Sequence, residues 1–187
     1  MFASVMGVIA EPQPVLLLIG AFSRHAAALD WGCNRAGQMF GELSLESPRF
    51  EFRETEYYTP TMGPELLKTF WVFERLIDPA ALVDIKRQTN AWEEQYAAVA
   101  GHPEARPLNL DPGYVGLGKL VLASTKDHAH RVYLGQGIYA EVTLYYKDGH
   151  WQAREWTFAD YRRADYQQFF EACREVLKRR LKSGEPQ

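Results

Sequence analysis

The chain predicts an α+β fold: a single domain in which a mixed, mainly antiparallel sheet carries packed helices. Three observations lead there. Residues 15–21 (VLLLIGA) and 68–77 (KTFWVFERLI) are apolar runs of strand length, the pattern of strands covered on both faces. Residues 23–40 and 79–99 repeat apolar positions at spacings of three and four, which marks a helix with one buried stripe. From 108 to 155, short alternating segments follow one another with glycine punctuation, as consecutive antiparallel strands do.

Composition bounds the function. At 187 residues, 47% hydrophobic and 24% charged, the chain is an ordinary globular protein with length enough for a real core. Its 21 Lys and Arg against 24 Asp and Glu give a net charge of -3, which argues against a mainly nucleic-acid surface. Only Cys33 and Cys173 occur, read as buried small hydrophobes in a reducing, cytoplasmic compartment. No apolar run reaches membrane-spanning length, so no membrane partner is expected. The start, MFASVMGVIAEPQP, lacks a basic n-region and makes a poor signal peptide. Residues 1–13 are expected to be a disordered extension, 14–182 the domain and 183–187 a tail. Oligomeric state is not legible.

The elements follow in order. After Pro14 and the first strand, Ser23 is placed to cap a helix reaching about Phe40. Leu29, Cys33, Ala36 and Phe40 would share its buried face, with Gly41 as the stop. LSLESPRFEFRE splits at Ser47-Pro48 into two short strands, and Met62-Gly63-Pro64 breaks the chain before the central strand. Asp78 as N-cap and Pro79 at the first helical position start the long helix, where the missing N–H costs nothing. Leu82, Ile85, Thr89, Trp92, Tyr96 and Val99 form its stripe; Gly101 and Pro103 end it. Residues 108–110 read as a strand and Asp111-Pro112-Gly113 as a type II turn. A strand at 119–124 precedes a hairpin of HRVYL and IYAEVTLYY across Gly135-Gln136-Gly137. Lys147-Asp148-Gly149-His150 turns into a strand over 151–155. Asp165 is placed to cap a last helix striped by Tyr166, Phe169, Cys173, Val176 and Leu177, whose basic end suits the helix dipole. If the first strand and its successor are parallel, their crossover is right-handed.

Residues 108–146 crowd polar groups into an apolar region, and the candidate site lies there. Facing Leu134 with Ile138 pairs Val132 with Ala140, Tyr133 with Tyr139, Arg131 with Glu141 and His130 with Val142. Thr143 and Tyr145 extend the same polar face. Arg131 and Glu141 read two ways. They are a cross-strand pair worth about 0.2–1 kcal/mol, or a pocket floor in which Glu141 holds Arg131 rigid to receive an anion. Tyr133 and Tyr139 would supply stacking surface. Lys126, His128 and His130 adjoin them. Two histidines at this spacing are a weak zinc signal without a nearby third ligand, which Asp111 or Glu141 could supply; an anion site is preferred and no metal ligand is assigned. The bland reading is a polar loop whose His130 bonds a backbone carbonyl. Alternation sends His130 and Arg131 to opposite faces, so both reach one cleft only through a bulge or twist.

Asp111, His130 and Glu141 are therefore the candidate acid–base or orienting groups. Lys119, Lys126, His128, Arg131, Tyr133 and Tyr139 are the candidate ligand-binding groups, and no cofactor is indicated. Residues 113–119 fit seven positions of a phosphate-binding Walker loop, but Leu120 replaces the hydroxyl that holds magnesium and a β-rich run follows. The P-loop reading is rejected.

NLDPGY (109–114), KLVLASTKD (119–127) and HRVYLGQGIYAEVTLYY (130–146) together resemble the prokaryotic domain-of-unknown-function family 4416. EPQPV near the start, ERLIDPAALVDIKRQTN (74–90) and WTFADYR (156–162) extend the resemblance over nearly the whole chain. A serine or similar residue is usual there at the position of Gly118, a further strike against a P-loop. The resemblance implies a family start near Met6-Gly7, and some members carry a GTP-binding label without a supporting motif. It supplies no mechanism.

Two classes of function stay open. One is a binding protein or enzyme for a small anionic, phosphate- or nucleotide-like ligand. The other is a non-catalytic interaction module with Tyr57, Tyr58, Trp156 and Tyr161 as an aromatic partner surface. Convergence of the charged set favours the first; its dispersal beside a large exposed aromatic patch favours the second.

Overall fold

A computed structural model describes Gly7 and residues 9–183, so most of the expected extension and tail, and the start near Met6, lie outside the described residues. The strands are β1 (Val15–Ser23), β2 (Leu43–Glu46), β3 (Phe50–Phe52), β4 (Leu66–Ile77), β5 (Asn109–Val115), β6 (Lys119–Ser124), β7 (Val132–Gly135), β8 (Ile138–Lys147) and β9 (His150–Ala153). The helices are α1 (Ala26–Phe40), α2 (Thr59–Met62), α3 (Leu82–Val99) and α4 (Ala164–Ser183). One sheet runs β2-β4-β1-β5-β6-β8-β7, with β3 also on β4 and β9 also on β8. The fold is α+β. Every strand pairing is antiparallel, because β4 returns beside β1 in the opposite direction, so no parallel crossover arises.

β1 is buried along its whole length, as its unbroken apolar run requires. Leu17, Ile19 and Ala21 face α1 and α3, packing with Trp71, Phe73 and Trp92. Leu16 and Leu18 face α4, packing with Phe70, Tyr166, Phe170 and Leu177. Helices thus cover both faces of the sheet. No helix among the described residues is long and apolar enough to cross a membrane.

Most local expectations hold, and the departures have causes. Asp78 does cap: its Oδ1 accepts the Ala80 N–H at 2.8 Å, with Pro79–Ala81 as a 3-10 turn leading into α3. Trp92 is 4% exposed, but Val99, in the last turn of α3, is 72% exposed. Ser23 ends β1 instead of capping α1. His25 takes the N-cap position and donates its N–H to Ser23 Oγ, which in turn donates to the Pro107 carbonyl. On α1 the close packing falls to Gly32 against Trp71, and Cys33 is only half-buried. Asp165 lies inside the first turn of α4, where the helix has already begun at Ala164; Phe170 takes the buried position expected of Phe169.

The largest correction is at Asp111-Pro112-Gly113. These residues are mid-strand in β5, opposite Gly20, Ile19 and Leu18 of β1. Gly113 is there for close approach instead of a positive φ, because a Cβ at this position would lie 2.1 Å from the Val121 carbonyl oxygen. Pro112, which has no N–H to give, sits one residue outside the β5–β6 ladder, whose pairs are Gly113–Leu122, Tyr114–Val121 and Val115–Leu120. Past Gly113 the two strands part. That fork positions the site.

Candidate functional site

The fork opens into two lobes that share Tyr58, Asp111, Ser124, Lys126 and Arg131 as a common waist. One lobe, of about 430 Å³, lies against α3 and is lined by Lys86, Glu93, Arg106 and Asn109. The other, of about 510 Å³, lies on the opposite face and is walled by Phe22, Phe52, Tyr57, Phe158 and Tyr161, with Lys68, His128 and Glu141. Asp111 reaches the waist because β5 continues past its last pair with β6. Ser124 and Arg131 reach it because β6 ends there.

Arg131 is built into the waist. Its Nε donates to Glu141 Oε2 at 2.8 Å, and its Nη1 donates to Ser124 Oγ at 2.7 Å and to the Lys126 carbonyl at 3.0 Å. Its Nη2 has no hydrogen-bond partner among the described residues. Both oxygens of Glu141 are engaged: His130 Nε2 lies 3.1 Å from Oε2, and Thr143 Oγ1 donates to Oε1 at 3.2 Å. Arg131 and Glu141 do meet, but not as a strand pair. Residues 128–131 form a turn in which Arg131 N–H donates to the His128 carbonyl. That turn brings both His130 and Arg131 to one carboxylate, resolving the alternation conflict. Strand pairing keeps Val132–Ala140 and Tyr133–Tyr139 as expected, whereas Gly135 faces Ile138 and Leu134 is bulged out.

His128, His130 and Trp156 form a parallel stack, with ring centroids 5.8 and 5.5 Å apart. His130 itself lines neither lobe. Lys126 Nζ donates to Tyr57 Oη at 2.9 Å, and this cation lowers the Tyr57 phenol's affinity for its proton. Asp111 accepts from Lys86 Nζ at 3.3 Å and from Asn109 Nδ2 at 2.8 Å. Glu93 accepts the Leu110 N–H at 2.7 Å; burial raises its carboxyl pKa, with Lys86 and Arg106 opposing. Lys68 pairs with Asp160, both buried, inside a ring of five aromatic side chains, the nearest being Tyr161 with its centroid 4.5 Å from Nζ. Neither cysteine offers a thiolate: burial pushes Cys33 up to about 11 and Cys173 higher still.

Of the nine expected site residues, Asp111, Lys126, His128, Arg131 and Glu141 come together at the fork, and His130 touches it only through Glu141. Three do not. Lys119 is exposed at the far end of β6, about 17 Å from Ser124 at ordinary strand rise. Tyr133 and Tyr139 pack against each other at a tilt, centroids 5.2 Å apart, on the hairpin and outside both lobes. The aromatic set disperses too. Tyr161 is 1% exposed and Tyr58 packs against Phe22 and Phe52, leaving Tyr57 and Trp156 on the surface. Lys68, Lys86, Glu93, Arg106 and Asp160 escaped the sequence reading. Lys86 and Glu93 sit on a helix face that reads as solvated until β5 is laid against it.

The fold and this opening define a class: an α+β domain whose antiparallel sheet forks to admit a charged, aromatic-walled cleft. The family described as Domain of unknown function (DUF4416) matches residues 13–177, and the chain belongs to it. No curated protein and no solved structure matches the chain.

Proposed function

We propose that this protein binds a small anionic ligand, phosphate- or nucleotide-like, at the fork between β5 and β6. The observation that carries this reading is Arg131. A guanidinium fixed through Nε and Nη1 by Glu141, Ser124 and a backbone carbonyl keeps Nη2 for an incoming acceptor and loses little freedom on binding. Lys126 adds a second cation at the same waist, and the aromatic wall of the larger lobe suits a planar, weakly polar body attached to the anion. Glu141, with every partner already engaged, acts as the orienting group. Asp111 is the carboxylate that faces both lobes and takes the role of general base if the protein turns its ligand over. His130 positions Glu141 from behind.

A thermal-shift screen with inorganic phosphate, nucleoside phosphates and sugar phosphates tests the reading. At least one should raise the melting temperature, and Lys126→Ala and Arg131→Lys should each diminish that rise. If none of these anions shifts the wild-type protein, or the rise survives both substitutions, the cleft is not an anion site.

A further inference from the structure

We propose that His25, His102 and Glu104 form a binding site for a divalent transition-metal cation of the zinc class, distinct from the fork. His25 and Glu104 stand 79 positions apart in the chain, yet one ligand atom from each of the three side chains lies within 4.8 Å of the others. Among the described residues no other group of histidine, cysteine and carboxylate side chains converges in this way. Two imidazoles and one carboxylate are a zinc ligand set that leaves a fourth position open, and imidazole donors select against magnesium and calcium.

The cluster is held as a metal site is held. Arg24 Nη1 donates to Glu104 Oε1 at 3.1 Å, turning Oε2 toward His25 Nε2, 2.9 Å away. Tyr96 Oη lies 3.1 Å from His102 Nε2 and fixes that ring, the kind of outer contact that orients ligating histidines. The two imidazoles stack face to face with centroids 3.7 Å apart, so one ring must turn out of the stack for both to ligate one ion. Behind them, Ser23 Oγ bonds both the His25 N–H and the Pro107 carbonyl, tying the start of α1 to the loop that carries His102 and Glu104. The His25 side chain is 24% exposed, which leaves a way in for an ion. Arg24 and the positive end of α1 oppose a dication, which sets the affinity below that of a closed four-ligand site. The loop continues to Arg106 and Leu108 in the smaller lobe, so metal at its base would steady one wall of the cleft.

The test is zinc titration of the chelator-stripped full chain, followed by calorimetry. Saturable uptake of one zinc per chain is expected, with no matching uptake of magnesium. Tyr96→Phe keeps the packing and should weaken zinc about 10–100-fold. Glu104→Gln and His102→Gln should abolish the saturable phase. Absence of stoichiometric uptake, or uptake undiminished in Tyr96→Phe and Glu104→Gln alike, overturns the site. Arg131→Lys should leave zinc uptake unchanged, so failure here and failure of the anion reading are separable.

Discussion

Arg131 Nε lies 2.8 Å from Glu141 Oε2, with the two side chains 5% and 1% exposed. A charge pair this withdrawn from water is costly to break from one side, since the survivor stays buried and unpaired. Glu141→Ala should therefore cost about 3–5 kcal/mol in urea unfolding. A loss below about 1 kcal/mol would mean that Arg131 finds solvent or another partner, and the rigid-arginine argument would fail with it.

Gly113 tests the fork. Gly113→Ala drives a methyl into the Val121 carbonyl and should cost about 3 kcal/mol or more, by overpacking the point where β5 and β6 last touch. Gly118→Ala is the control, with nothing within 4 Å of the added Cβ and an effect expected within about 0.5 kcal/mol. Equal effects would refute the close-approach role.

Trp92 of α3 packs on Phe40 of α1 and lies in the same core as Ile19, Trp71 and Phe73 of the sheet. Trp92→Ala should cost about 3–5 kcal/mol by denaturant titration. A small loss would place the buried stripe of α3 on another face.

Glu93 gives a pH signature. Because burial raises its folded pKa above its unfolded value, the folded state holds the proton more tightly. Its contribution is present at low pH and is lost as pH rises through the folded pKa. Glu93→Gln keeps an acceptor for Leu110 and removes this loss. The stability of the variant relative to wild type should climb as pH rises from the normal carboxyl range, then level off above the folded pKa. A difference that stays flat between about pH 4 and about pH 7 would show that the carboxyl is not perturbed.

The sequence was most legible where burial is continuous. Residues 15–21 and 68–73 read as strands covered on both faces, with Glu74 and Arg75 emerging exposed beyond them, and the Leu82–Trp92–Tyr96 stripe reads as a packed helix. It misled at Asp111-Pro112-Gly113, where turn chemistry and a close-approach glycine spell the same letters. The Arg131–Glu141 contact was half legible: the hairpin register named the two partners, but the turn at 128–131, not strand pairing, brings them together. Lys119, Tyr133 and Tyr139 were misplaced because a strand carries its two ends far apart and a bulged hairpin moves its tip away from the sheet.

By itself, the sequence determined the α+β class, the order of its principal elements and the cap at Asp78. All of these rest on periodicity and neighbours within a few residues. Only the tertiary structure decided that β5 parts from β6 beyond Gly113, that Lys86 and Glu93 of α3 face that gap, and that His25 meets His102 and Glu104. These contacts join residues from distant stretches of the chain, and their distances are set by how sheet and helices pack, a quantity no local spacing encodes.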